Sequence, residues 1–279
     1  MKIGILADWL GLDFEGNIRL SAELGADGVQ LYAVDGELAP ENMDAAARRK
    51  AARFIRDTGL EISAVCGDLG GGGFAFAKDN PAKIARTKAI VDLCVDLGCR
   101  VVTTHIGVVP ADPGAERFGV IARALKELGD YALQRGAVFA IETGPEKSED
   151  LRRMLDAVGS GGVGVNLDPG NLVMCHDESP VVSVENLKGY IVHTHAKDGR
   201  LLKACDMDVM YGMVPAPEGF DENEYCVELP LGEGDVRFET YIPALRAAGY
   251  DGYLTIEREC GDDPKRDIGL AVEFLRRYV

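Results

Sequence analysis

The residues best suited to chemistry stand at the ends of short apolar runs. Asp8, Gln30, Cys66 with Asp68, His105, Glu142, Asp168, His195 and Glu257 each close or directly follow a β-branched stretch, among them VFAIE, GVGVNL, YIVHTH and GYLTIE. The last four residues belong to four consecutive runs. Three carboxylates and one imidazole gathered at one place repel each other and are costly to desolvate unless a cation neutralises them. A single divalent metal ion held by Glu142, Asp168, His195 and Glu257 is the economical explanation. Oxygen-dominated ligation with one nitrogen suits Mn²⁺ first, with Mg²⁺, Co²⁺ or Zn²⁺ as alternatives, and excludes a structural thiolate zinc site.

Each of these residues also has a purely structural reading. Asp168, in LDPGN, has the sequence context of a helix N-cap. Glu142 and Glu257 follow apolar runs that bury their neighbours, where the alternative is a salt bridge within the rim. His193 points the same way from its strand as His195. His195 is the preferred ligand because it lies nearer the strand end.

These side chains need a scaffold that brings strand ends together. The runs KIGIL, GVQLY, EISAV, RVVTTH, VFAIE, GVGVNL, YIVHTH and GYLTIE read as eight strands with helical stretches between them. Most lack strict alternation, as when both faces of a parallel sheet are covered. Gly25, Gly59, Gly98, Gly136 and Gly249 repeat one helix-ending signal ahead of a strand. Five copies of one junction predict repeated βα units, and eight units close a (β/α)8 TIM barrel more naturally than they build a doubly wound open sheet. No linker divides the chain, so residues 1–279 read as one α/β barrel domain. Two connections are rich in loop signals: CGDLGGGGFAFAKDN after the third strand, and a long, irregular, acidic insertion at 199–237 after the seventh. Both fall at the barrel end where active sites sit.

Composition sets outer bounds. With 47% hydrophobic and 27% charged residues the chain is globular. A net charge of −16 gives no electrostatic footprint for nucleic acid, which is not an expected partner. No apolar run reaches the roughly 18 residues of a membrane span, and MKIGILADWL turns polar too early for a signal peptide, so the expected location is cytoplasmic and away from membranes. Seven cysteines without a CxxC pair fit reduced thiols.

The runs IETG, NLDPGN, HTHAKD and TIERE resemble the metal-ligand strands of the xylose isomerase-like barrel superfamily, whose members include sugar-phosphate isomerases and epimerases, ketose 3-epimerases, inosose isomerases and dehydratases, and endonuclease IV relatives. The resemblance spans essentially the whole chain. It implies a Glu, Asp, His, Glu ligand set at Glu142, Asp168, His195 and Glu257, and a dual role as ligand and proton-transfer base for Glu142 and Glu257. Two departures qualify it. Asn171 stands where ketose 3-epimerases carry a substrate-contacting His, and four histidines (105, 176, 193, 195) are too few for a trinuclear nuclease centre.

The expected activity is isomerisation or epimerisation of a sugar, sugar phosphate or cyclitol through an enediolate. Glu142 and Glu257 are read as lying four strands apart in a ring of eight and facing each other across the metal. A lyase or dehydratase using the same site, and a non-catalytic sugar-binding barrel, are the competing readings. His105 is a candidate for a substrate hydroxyl, Asn171 for the amide that replaces the family's His, and Lys197 for a substrate oxygen, against a salt bridge to Asp198 or another rim acid. Trp9 could stack on a sugar face, and Phe74 with Phe76 could close over it or pin their loop. The run GGGG lacks the lysine and serine of a phosphate-binding loop. Relatives often form homo-oligomers, but no sequence feature here specifies an interface.

Overall fold

The computed structural model describes residues 1–261 and 263–279. Its strands are β1 (Lys2–Leu6), β2 (Gly28–Tyr32), β3 (Glu61–Cys66), β4 (Val101–Thr104), β5 (Val138–Glu142), β6 (Val163–Leu167), β7 (Ile191–Ala196), β8 (Asp198–Leu201), β9 (Cys226–Leu229) and β10 (Tyr253–Ile256). β1 to β7 pair in parallel in chain order, and β10 joins β7 to β1, closing an eight-stranded barrel. At the closure Ile3 stands opposite Leu254 and Ile5 opposite Ile256. These are the eight runs read from the sequence.

Helices α1 (Phe14–Glu23), α2 (Ala45–Asp57), α3 (Asn80–Asp96), α4 (Glu116–Gln134) and α5 (Ser148–Val158) each follow a strand. α6 (Pro169–His176) and α7 (Pro180–Leu187) lead from β6 to β7. α8 (Met207–Met210) and α9 (Phe238–Ala247) lie between β7 and β10, and α10 (Pro264–Leu275) ends the chain. No helix among the described residues is long and apolar enough to cross a membrane.

Period-two alternation divides each barrel strand into two rows. Ile3, Ile5, Val29, Leu31, Val102, Phe139, Ile141, Val165, Leu167, Leu254 and Ile256 are fully or almost fully buried under the helices, where the hydrophobic core lies. The alternate row faces the barrel axis and is largely polar: Gln30, Thr103, Asn166, His193 and Thr255 are buried there. The metal-ligand candidates continue this inner row at the strand ends.

Backbone conformation explains the repeated junction. Gly25, Gly59, Gly98, Gly136 and Gly249 have φ of 86°, 89°, 86°, 73° and 86°. That left-handed region disfavours residues with a Cβ, although none of these five sites has a neighbour within 4 Å that a Cβ would meet.

Segment 199–237, read as an irregular loop, is a folded excursion. β8 and β9 form an antiparallel ribbon, with Asp198 opposite Leu229 and Leu201 opposite Cys226. The Asp198 carboxylate staples its base by accepting backbone N–H bonds from Gly199, Gly232, Gly234 and Val236 at 2.9–3.1 Å. Glu228 ties β9 to the chain after β10, accepting from Arg258 Nη1 at 2.7 Å and from the Glu259 amide at 3.1 Å. The glycine run after β3 is likewise ordered. Lys83 Nζ donates to the carbonyls of Gly70, Gly71 and Gly73 at 2.6, 3.2 and 2.7 Å.

Gly98→Ala isolates the conformational cost, because its φ is unfavourable and its surroundings are open. The substitution should destabilise the protein by about 1 kcal/mol, read as a lower denaturant midpoint with an unchanged slope.

Candidate metal centre

Glu142, Asp168, His195 and Glu257 come together at the C-terminal mouth of the barrel. Each offers one ligand atom within 4.8 Å of the others, and all four residues are buried. His195 Nδ1 is the hub. It lies 3.0 Å from Glu257 Oε2, 3.3 Å from Asp168 Oδ2 and 3.4 Å from Glu142 Oε1. The strand order puts Glu142 and Glu257 three positions apart in the ring, not the four read from the sequence, because two strands, β6 and β7, separate β5 from β10. Their carboxylates still flank the imidazole.

The inner row beneath the cluster sets its orientation. His195 Nε2 lies 3.1 Å from Gln30 Oε1, and the Gln30 amide donates to Thr103 Oγ1 at 3.3 Å. A proton on Nε2 satisfies Gln30 and leaves the Nδ1 lone pair aimed at the three carboxylates, the usual way a metal-binding imidazole is oriented. Asn166 Nδ2 donates to Glu142 Oε2 at 3.1 Å, while Asn166 Oδ1 accepts from His193 Nδ1 at 2.8 Å. His193 Nε2 meets Thr255 Oγ1 at 3.0 Å. His193 therefore belongs to the layer under the cluster, and burial together with neighbouring His195 holds it well below the usual histidine range.

Asp168 satisfies both of its readings, one with each oxygen. Oδ1 caps α6 by accepting the Asn171 amide at 2.9 Å, and Oδ2 faces His195. The backbone at this point is locked by Thr143, whose hydroxyl accepts from the Asp168 amide at 2.8 Å and donates to the Asp168 carbonyl at 2.9 Å.

Charge balance favours a cation here. Lys197, buried, reaches Glu257 Oε2 at 2.8 Å, Glu259 Oε2 at 2.6 Å and Asp168 Oδ2 at 3.8 Å. Of the salt-bridge partners the sequence offers, the rim acids are the ones used, and Asp198 instead binds backbone amides. Burial would lower the lysine's affinity for its proton, but the Glu257, Asp168 and Glu259 carboxylates outweigh it and hold the pKa well above normal. One ammonium cannot balance these acids. His195 meets the remaining demand: burial opposes its protonation, yet Glu257, Glu142 and Asp168 raise its affinity for a proton well above normal. Glu257 Oε2 stands within ion-pair distance of both bases yet makes no well-directed hydrogen bond among the described residues. Three buried carboxylate oxygens and an imidazole nitrogen around one point fit a divalent cation.

The other sequence candidates divide. His105 Nε2 lies 3.6 Å from Glu142 Oε1, and Asn171 Nδ2 donates to the same oxygen at 3.3 Å, so both border the cluster. Lys197 Nζ also reaches Asn171 Oδ1 at 3.4 Å. Trp9 is half-buried on a 3-10 turn directly after β1, packed on the core, with its indole nitrogen buried and unpartnered among the described residues. Phe74 is a correction. It is only 2% exposed and packs edge-on against Phe139 at 6.0 Å. Phe139 faces the helices, opposite in alternation to Glu142, so Phe74 pins its loop to the outer core rather than covering the mouth. Sequence reasoning missed Asn166 and Glu259 and gave Gln30 no role. The available signal was their polarity in or beside otherwise apolar strand runs.

Comparisons agree with this architecture. A family model described as xylose isomerase-like TIM barrel matches residues 18–278. An inosose dehydratase of Geobacillus thermodenitrificans is 26% identical over 148 residues, covering 52% of this chain and 48% of that protein. The alignment thus spans about half the length of that relative. Among solved structures, a xylose isomerase domain protein from Planctomyces limnophilus superposes with a TM-score of 0.77 at 24% identity, covering 93% of this chain and 90% of the other. A D-psicose 3-epimerase determined in the presence of D-fructose superposes at 0.73 with 15% identity, covering 99% of each chain. At these identities the structural likeness speaks to the fold.

Gln30→Leu removes the acceptor facing His195 Nε2, leaving the Asn166 amide nitrogen as its neighbour at 3.1 Å, without touching the four donors. Mn²⁺ affinity, measured by calorimetry, should weaken roughly 10- to 100-fold, with the far-ultraviolet circular dichroism unchanged.

Proposed function

We propose that this chain, which belongs to the xylose isomerase-like TIM barrel family, is a divalent-metal-dependent isomerase or epimerase that moves a proton beside a carbonyl of a sugar, sugar phosphate or cyclitol. The observation that carries this reading is the burial of three carboxylates around one imidazole with a single lysine to offset them. Glu142, Asp168, His195 and Glu257 would hold the ion, with Mn²⁺ the preferred occupant. When bound, it would supply a Lewis acid for a substrate carbonyl and an adjacent hydroxyl.

The rest of the chemistry falls to side chains. Glu142 and Glu257 flank the cluster from β5 and from the end of β10, so one is placed to take a proton from the carbon beside the carbonyl and the other to return it. Return to the opposite face of the same carbon epimerises the substrate. Return to the neighbouring carbon interconverts aldose and ketose. Asn166 and Asn171 hold Glu142 by hydrogen bonds to its two oxygens, 3.1 and 3.3 Å long. His105 stands beside Glu142 with its ring partly exposed, positioned for a substrate hydroxyl. Lys197 places a positive charge where negative charge on a substrate oxygen would gather. Glu142 and Glu257 are each 6% exposed, so the carboxylates are largely buried yet keep an edge through which their protons can exchange with solvent.

Elimination is the second reading, favoured by the inosose dehydratase among the relatives. Proton removal beside a carbonyl is common to both outcomes, and loss of a β-hydroxyl would give an unsaturated product. A panel of ketohexoses, sugar phosphates and inososes run in deuterium oxide separates them. Deuterium in an isomeric product supports isomerisation or epimerisation, and an unsaturated product supports elimination. Turnover to an isomer with no solvent deuterium would point to hydride shift and count against the proton-transfer reading.

Glu142→Gln and Glu257→Gln should each lower turnover by roughly 10²- to 10⁴-fold or more, with melting temperatures near wild type. Near-normal rates in both variants would defeat the two-carboxylate scheme. Removal of metal by a chelator should abolish turnover, and added Mn²⁺ should restore it.

A further inference from the structure

The insertion between β8 and β9 carries one side chain to the edge of the metal centre. Between residues 202 and 225 the segment is mostly exposed, and Met207 is its one buried residue. It reaches back over the barrel through few contacts. Asp208 pairs with Arg117 at 2.9 Å. Tyr211, just past α8, sets its ring edge-on to His105 with centroids 5.7 Å apart.

The Tyr211 hydroxyl sits in a notch made by a missing side chain. A Cβ built on Gly144 would lie 2.6 Å from Tyr211 Oη and 3.3 Å from Asn171 Cβ. Gly144 follows Glu142 by two residues, and Asn171 hydrogen-bonds Glu142. The tyrosine therefore stands against two residues that border the proposed proton-transfer carboxylate, His105 and Gly144, with Asn171 on the other side of the Gly144 notch. Among the described residues its hydroxyl has one partner, Cys175 Sγ at 3.5 Å. A thiol is a weak donor and a weak acceptor, so the phenol retains hydrogen-bonding capacity that a half-buried polar group normally uses.

We propose that Tyr211 is a substrate-positioning residue, which the insertion brings over the metal centre so that its hydroxyl bonds an oxygen of a polyhydroxylated substrate, with Gly144 as the notch that admits it. The inference rests on the carbohydrate reading given above and adds the residue through which the insertion selects its ligand. Tyr211 acts on binding and orientation, because it touches none of the four metal-ligand candidates.

The test is calorimetric titration of Mn²⁺-loaded wild type, Tyr211→Phe and Gly144→Ala with D-fructose, D-tagatose, D-allulose and an inosose. Tyr211→Phe should weaken whichever probe the wild type binds by roughly three- to tenfold, while Mn²⁺ affinity and melting temperature stay as they were. A deoxy analogue of that probe lacking the contacted hydroxyl should bind wild type and Tyr211→Phe equally, a result that a merely structural tyrosine would not produce. Gly144→Ala should weaken binding in wild type and cost less in the Tyr211→Phe background, where the crowded oxygen is gone. Equal affinity of wild type and Tyr211→Phe for every probe would overturn the inference. Wild type that holds Mn²⁺ yet binds no probe would instead sink the carbohydrate reading, and this inference with it.

Discussion

Three acids buried beside one another at the mouth of a barrel set the terms for this molecule. Like charges a few ångströms apart, out of water, are tolerated only where cations, hydrogen bonds or a bound metal answer them. Lys197 answers part of that demand, and His195 answers more by keeping a proton that burial alone would strip from it. Even so, Glu257 Oε2 lacks a well-directed hydrogen bond among the described residues. A divalent ion at the same point would replace the proton on Nδ1 and bring charge and geometry into agreement at once.

The demand propagates downward into the barrel. A ring of donors held to a few tenths of an ångström needs oriented neighbours, and the axis-facing row supplies them: Gln30 on His195, Asn166 on Glu142, and His193 bridging Asn166 to Thr255. Apolar burial is thereby shifted outward. Stability comes from the layer between strands and helices, where Ile3, Ile5, Phe139, Ile141 and Leu254 are fully buried, and the barrel interior is left free to be polar. This division lets one fold carry a costly site without weakening its core.

Much of this was legible in the chain because strand ends and helix ends carry strong local signals. The eight strands, the glycine junctions and the four clustered residues follow from apolar runs, from the left-handed turn that glycine permits and from polar residues where an apolar run stops. What was not legible depends on tertiary placement. Phe74 sits on a glycine-rich loop, and nothing local says whether such a ring turns toward the mouth or, as here, toward Phe139. The four-residue strands DGRL and CVEL are too short for period-two alternation to stand out in an acidic segment, so the ribbon was read as irregular. Asn166 and Gln30 matter through partners on other strands, and a single sequence does not display such pairings.

The insertion is hydrogen-bonded closely at its base and mostly exposed beyond it, and the contrast bears on how specificity can vary in such a barrel. Asp198 and Glu228 fasten the ribbon at its base through backbone amides and the Arg258 guanidinium, independently of most side chains between them. Changes within 202–225 can therefore alter what stands over the metal centre without disturbing the strand ends that build it. Glu228 is also joined to the chain immediately after Glu257, so the base of the ribbon shares its anchor with one of the four donors. On the proposed reading, metal chemistry would be built on the strand ends and substrate selection on an exposed excursion whose fixed points are those same ends.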